Sequence, residues 1–106
     1  GVNHYPTSDR FLRARRGDWD ITLDAPFEDL AAVRVADVTP PGVAGALREA
    51  WDRYRLPVAV TECHLGCTRE EQLRWVKRTW DAAERLRREG ADVRAVTAWA
   101  LMGNQD

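Results

Sequence analysis

The stretch Pro57-Val58-Ala59-Val60-Thr61-Glu62 decides the fold. It is a short apolar run that ends on a carboxylate, followed by a small-residue turn and a helix start at Thr68. A buried parallel strand of an α/β fold delivers a charged group to the edge of its sheet in this way, and ligands bind at that edge. The pattern predicts that any chemistry is organised around Glu62, although a solvated carboxylate at a strand end has the same signature.

Predicted strands and helices alternate on both sides of this run. We expect strands over 1–5, 57–62 and 93–99, helices over 39–56 and 68–90, and a long irregular loop over 6–38 with one short strand around Ile21. Thr68 and Glu71 have the spacing of a capping box, which marks the start of the second helix. Strands that alternate with helices predict an α/β fold built from parallel βαβ units.

Each predicted helix has one apolar stripe that we expect to face the core. The spacing of three and four residues that defines a stripe is met by Val43, Leu47, Trp51 and Tyr54 in the first helix, and by Leu73, Val76, Trp80, Ala83 and Leu86 in the second. Core packing is therefore the expectation for Trp51 and Trp80.

Composition excludes several classes of partner. The chain has 106 residues, 44% of them hydrophobic, and its 16 Lys and Arg nearly balance its 17 Asp and Glu. We expect no nucleic acid and no membrane as partner, because no basic surface and no long apolar run is present. A cytoplasmic location is the default. The chain opens and closes in strand-like sequence, so we expect it to be cut from something longer.

The cluster Cys63-His64-Leu65-Gly66-Cys67 raises the question of a metal site. Zinc sites generally use four ligands and a Cys-x2-Cys knuckle with a second pair elsewhere. Here three residues separate the cysteines, and His4 is the only distant candidate ligand. The sequence therefore favours the simpler interpretation, in which the two cysteines are reduced thiols that bind no metal.

Three stretches of the chain, taken in order, carry a resemblance to a known family. Residues 1–5 read Gly-Val-Asn-His-Tyr, residues 57–62 read Pro-Val-Ala-Val-Thr-Glu, and residues 98–106 begin Ala-Trp and end in Asp. They resemble the sixth-strand motif Gly-Leu-Asn-Tyr-Tyr, the seventh-strand motif Pro-Ile-Tyr-Ile-Thr-Glu-Asn-Gly and the eighth-strand motif Trp-Ser-Leu-Leu-Asp-Asn-Phe-Glu of family 1 glycoside hydrolases. These enzymes are β-glucosidase-type (β/α)8 barrels.

The resemblance implies a role for each matching residue. Glu62 would be the catalytic nucleophile of a retaining glycosidase, and Tyr5 would orient its carboxylate, with Asn3 in support. Trp99 would be the platform for the sugar ring, and Asp106 would bind sugar hydroxyls in place of the family's Glu. Cys63 and His64 replace the Asn-Gly that follows the nucleophile, and His4 replaces the first Tyr, so a divergent branch is expected.

The resemblance also shows what this sequence lacks. Retaining hydrolysis uses two carboxyl groups about 5–5.5 Å apart, and the family's acid/base Glu lies in an Asn-Glu-Pro motif that does not occur here. A complete barrel needs ~250 residues. We therefore expect a partial TIM (β/α)8 barrel that carries the nucleophile half of the site, is inactive alone, and either needs a missing N-terminal barrel portion or self-associates.

The expected ligand is a small-molecule carbohydrate, and neither a cofactor nor a metal is implied. Two alternatives stay open at this point. The chain is a non-catalytic carbohydrate-binding or scaffolding fragment, or it is a small metal-binding module built on Cys63, His64 and Cys67.

Overall fold

The computed structural model describes residues 1–14, 27–32, 39–100 and 102. Their elements, in chain order, are β1 (Val2–Asn3), β2 (Arg10–Ala14), β3 (Phe27–Ala31), α1 (Gly42–Tyr54), β4 (Val58–Cys63), α2 (Arg69–Arg88) and β5 (Val93–Ala98). The chain divides into two compact units, one formed by Gly1–Tyr5 with Pro41–Asp106 and the other by Pro6–Pro40.

A three-stranded parallel sheet in the order β1-β4-β5 forms the centre of the larger unit. Val58 and Val60 of β4 project from one face of this sheet and are buried against α1 and α2. Leu47 of α1 is fully buried in the same core, where its side chain contributes about 1.5–3 kcal/mol by leaving water. On β4 Ala59, between these two valines, is only partly buried and Thr61, after them, is exposed, so alternation along the strand separates a core face from an open face.

The start of α2 is fixed by the capping box that the sequence predicts. The Thr68 hydroxyl accepts a hydrogen bond from the Glu71 backbone N–H, and the Glu71 carboxylate accepts one from the Thr68 backbone N–H. Each bond satisfies a backbone donor that the first helical turn leaves unpaired.

No helix in the described part of the chain is long and apolar enough to cross a bilayer.

The core-facing side of α2 differs from the predicted apolar stripe. Leu73 is 70% exposed and Trp80 is 53% exposed. Ala83 and Leu86 of that stripe are buried as predicted, and Thr79 and Ala82, which lie outside it, are buried with them. Small side chains occupy this face because α2 lies close to the sheet and to α1, whose own stripe is buried only at Val43 and Leu47. Trp51 is partly buried and Tyr54 is exposed.

The smaller unit contains an antiparallel pair of strands where the sequence predicts an irregular loop over 6–38. Strand β2 pairs with β3 from Arg10 opposite Ala31 to Ala14 opposite Phe27. A diagonal ion pair, Arg10 Nε to Asp29 Oδ1 at 2.8 Å, links the two strands. The short strand expected around Ile21 lies outside the described residues.

The prediction of a partial (β/α)8 barrel is wrong. The described residues form two helices, an open three-stranded parallel sheet and a separate two-stranded antiparallel sheet, rather than successive β/α units of a barrel. A barrel closes by pairing every strand on both sides, whereas β1 and β5 each pair only with β4 in the described sheet. The described part of the segment after β1 pairs with itself as β2 and β3, and neither of these strands belongs to the parallel sheet.

Candidate functional site

A local irregularity in β4 brings Glu62 out of the core. Strict alternation would place Glu62 on the same face as the buried Val58 and Val60. The pairing with β5 shifts between Val60 and Cys63, and Cys63 occupies the core instead, only 3% exposed. Glu62 stays partly exposed at the carboxyl end of the strand. Irregularities of this kind re-aim a side chain at a sheet edge, and here the carboxylate is kept within reach of solvent.

The phenol of Tyr5 holds one oxygen of this carboxylate. Tyr5 Oη donates a hydrogen bond to Glu62 Oε2 at 2.6 Å, across 57 positions of sequence. The short distance is typical of an O–H donor on an ionised acceptor. This bond, together with burial and the negative charge of Glu62, raises the pKa of Tyr5 above its ordinary value of 10.0. The structure therefore brings together the two residues that the sequence assigns to nucleophile and orienting phenol.

The second oxygen of Glu62 is left available. No described residue forms an ion pair or a further hydrogen bond with this carboxylate. A carboxylate with one oxygen fixed by a phenol and the other directed elsewhere has a defined orientation, which is what attack on an electrophilic carbon requires.

Asn3 contributes in a different way from the one predicted. It is the register partner of Glu62 in the β1–β4 pairing. Its side-chain oxygen accepts a hydrogen bond from the Thr61 hydroxyl, and no hydrogen bond joins the side chains of Asn3 and Glu62 among the described contacts. Asn3 therefore aligns the two strands and acts on Glu62 only through that alignment.

Trp99 lies directly after β5 and is tied to the end of β4. Its backbone N–H donates to the carbonyl oxygen of Cys63 at 3.2 Å. The side chain is 49% exposed, so its ring is accessible to a ligand. The fifth predicted site residue, Asp106, lies outside the described residues.

His4 is a residue whose structural role the sequence did not indicate. It is 6% exposed, and its ring stacks on that of Trp75 with centroids 6.4 Å apart and planes 18° apart. Because His4 precedes Tyr5 directly, this packing against α2 fixes the backbone from which the phenol reaches Glu62. The sequence showed only that a histidine precedes the tyrosine of the site. Nothing in it identified Trp75 as the residue on which His4 packs.

Comparisons with known proteins found no match. No family model, no curated protein and no solved structure matches this chain. The resemblance to family 1 glycoside hydrolases therefore rests on the residues of the three motifs alone.

The two cysteines near the site are free thiols. Cys63 is in the core, and the Cys67 thiol donates weakly to the carbonyl oxygens of Leu65 and Thr68. Desolvation, reinforced by the nearby Glu71 carboxylate, raises the pKa of Cys67, which disfavours the thiolate that metals bind. Within the described residues no group of three or more His, Cys, Asp or Glu side chains is placed to hold a metal ion.

Proposed function

We propose that this chain carries the nucleophile half of a retaining β-glycosidase site, with Glu62 as the nucleophile. The observation that carries the proposal is the 2.6 Å hydrogen bond from Tyr5 Oη to Glu62 Oε2. It joins the two residues that the family resemblance pairs, although 57 positions separate them in sequence. The exposed ring of Trp99 at the neighbouring strand end adds support, because sugar rings pack on aromatic faces.

In the proposed reaction Glu62 attacks the anomeric carbon as the bond from that carbon to the leaving-group oxygen breaks. The covalent glycosyl ester is then hydrolysed by water, with net retention of configuration. Tyr5 orients the carboxylate by donating a hydrogen bond to the oxygen that does not attack. The departing oxygen of an ordinary glycoside also needs a proton from a second carboxyl group about 5–5.5 Å from the first.

The sequence contains no Asn-Glu-Pro motif, so it does not supply this second carboxyl group in the form that the family uses. We therefore propose that the chain alone turns over ordinary glycosides poorly, and that an N-terminal portion or a second copy supplies the proton donor. The proposed setting is the cytoplasm, whose reducing conditions preserve free thiols such as Cys63 and Cys67.

The test uses a substrate that needs no proton donor. A 2,4-dinitrophenyl 2-deoxy-2-fluoro-β-glucoside has a leaving group that departs as a stable anion, and its fluorine slows hydrolysis of the glycosyl ester. We expect incubation with the chain to add one fluoroglucosyl group, which peptide mass spectrometry locates on Glu62. The adduct is expected to disappear in Glu62→Gln and to persist in the control Glu70→Gln, because Glu70 is exposed on α2. Equal labelling of the Glu62→Gln and Glu70→Gln variants would refute the assignment.

A second candidate is sugar binding without turnover, which the exposed ring of Trp99 favours. It predicts that immobilised chain retains glucosides in frontal chromatography and that Glu62→Gln leaves this retention intact. Trp99→Ala should abolish retention, whereas Trp80→Ala, which removes another half-exposed indole from α2, should not. Retention that is lost equally in both tryptophan variants would argue against a platform at Trp99.

A further inference from the structure

A cavity at the beginning of α2 is separate from the residues assigned to Glu62 chemistry. It has a volume of about 240 Å3 and is lined by Leu65, Glu71, Arg74, Trp75 and Arg78. Drug-sized ligands occupy pockets of about 300–1,000 Å3, so this volume fits a smaller compound. We call it the α2 cavity.

Two arginines of the α2 cavity differ from most of the cationic side chains that the structure describes. Among the described residues, the cations that lie within 4.0 Å of a carboxylate are Arg10, Arg48, Arg53, Arg55, Lys77, Arg85, Arg88 and Arg94. The guanidinium groups of Arg74 and Arg78 make no ion pair or hydrogen bond with any described residue. They are four positions apart on one helix, so they lie on the same side of α2.

The single carboxylate of the cavity is already engaged. Glu71 Oε2 accepts hydrogen bonds from the Thr68 backbone N–H at 3.3 Å and from the Thr68 hydroxyl at 3.0 Å. With Glu71, Arg74 and Arg78 all ionised, the lining carries one negative and two positive charges, a net charge of +1. Two unpaired guanidinium groups thus remain to receive an anion.

We propose that the α2 cavity binds a small oxyanion, a phosphate or carboxylate group borne on a ring. The planar fork of a guanidinium matches both groups and bonds them with two parallel N–H donors. Trp75 and Leu65 supply apolar surface for the ring that bears the anion. Trp75 is already held in place by its stacking on buried His4, so the surface is preformed. This proposal stands independently of glycosidase activity at Glu62.

The experiment titrates the full chain with four probes at low ionic strength and follows two-dimensional NMR signals. Inorganic phosphate tests the anion alone, phenyl phosphate and benzoate test each anion with a ring, and glucose is the uncharged control. We expect saturable shifts of the Trp75 indole N–H and of the Arg74 and Arg78 Nε–H signals with phenyl phosphate or benzoate. Whichever of phenyl phosphate and benzoate binds more tightly identifies the preferred anion. Inorganic phosphate should bind more weakly than phenyl phosphate.

Matched variants decide whether the two arginines are responsible. Arg74→Gln/Arg78→Gln should weaken binding about tenfold or more, because hydrogen bonds between charged groups are lost. Arg69→Gln/Arg87→Gln removes the same charge from exposed positions of the same helix outside the cavity, and it should retain most of the affinity. Both pairs are exposed, so unfolding curves should stay close to wild type. Equal weakening by both pairs, or no saturable shift at Trp75 with any anion, would overturn the proposal.

Discussion

Replacing Tyr5 with Phe removes a single hydroxyl and, with it, the hydrogen bond to Glu62. The ring and its packing remain, while the 2.6 Å bond to Glu62 Oε2 is lost. Hydrogen bonds to charged groups contribute about 1.5–3 kcal/mol, and this one lies in a partly buried setting where water competes. We therefore expect Tyr5→Phe to lower the free energy of unfolding by about 1–2 kcal/mol.

Urea unfolding at neutral pH, followed by circular dichroism, measures this loss. With a slope of about 1–2 kcal/mol per molar urea, the midpoint should fall by about 1 M. Tyr54→Phe is the matched control, because Tyr54 is 63% exposed and its hydroxyl bonds to no described residue. That variant should change the free energy of unfolding by less than about 0.5 kcal/mol.

A double-mutant cycle assigns the effect to the pair. Tyr5→Phe and Glu62→Met should be less destabilising together than the sum of the two single effects, since each alone breaks the same bond. Strict additivity, or equal midpoint shifts for Tyr5→Phe and Tyr54→Phe, would refute the reasoning that this bond holds the carboxylate.

Three further predictions concern the same unit. The pKa of Tyr5 in the folded state is raised above 10.0, so Tyr5 ionises in the unfolded chain first as the pH rises. The stabilisation from Tyr5 is therefore complete below about pH 10 and is lost above it. Tyrosinate absorbance in a Tyr54→Phe background should show Tyr5 ionising above pH 10. Leu47→Ala should cost about 2–5 kcal/mol in chemical unfolding, whereas Leu73→Ala, at a 70% exposed position, should cost little. Thr68→Ala should cost about 1 kcal/mol by removing the cap of α2, and an unchanged thermal midpoint would contradict that.

Sequence pattern predicted the features that depend on near neighbours. The capping box at Thr68 and Glu71 involves only one helical turn, and its spacing was sufficient to find it. The short apolar run after Pro57, which ends at Glu62, predicted β4 in the same way. The Tyr5–Glu62 pair came from the family resemblance rather than from periodicity, since no local pattern links residues 57 positions apart.

The errors concern interactions that only the assembled chain defines. Strands β2 and β3 contain charged residues and lack the apolar alternation that a sequence scan detects. They pair through an antiparallel backbone ladder, which the Arg10–Asp29 ion pair spans. On α2 the predicted stripe is correct at Ala83 and Leu86 but wrong at Leu73 and Trp80, which are exposed. Close approach to the sheet selects the small residues Ala82 and Ala83 for the buried face.

The shortness of β1 has a consequence for how the site behaves over time. Only Val2 and Asn3 form the ladder to β4, while Tyr5 reaches Glu62 from the same segment. Partial openings release such short segments at a lower free energy than global unfolding requires. Each opening would detach the phenol and free the Glu62 carboxylate while Leu47 and the helices stay packed. The fraction of molecules with an assembled site is therefore set by the closing equilibrium of β1 together with the packing of His4 on Trp75. Amide hydrogen exchange reports this equilibrium separately from the stability of the core.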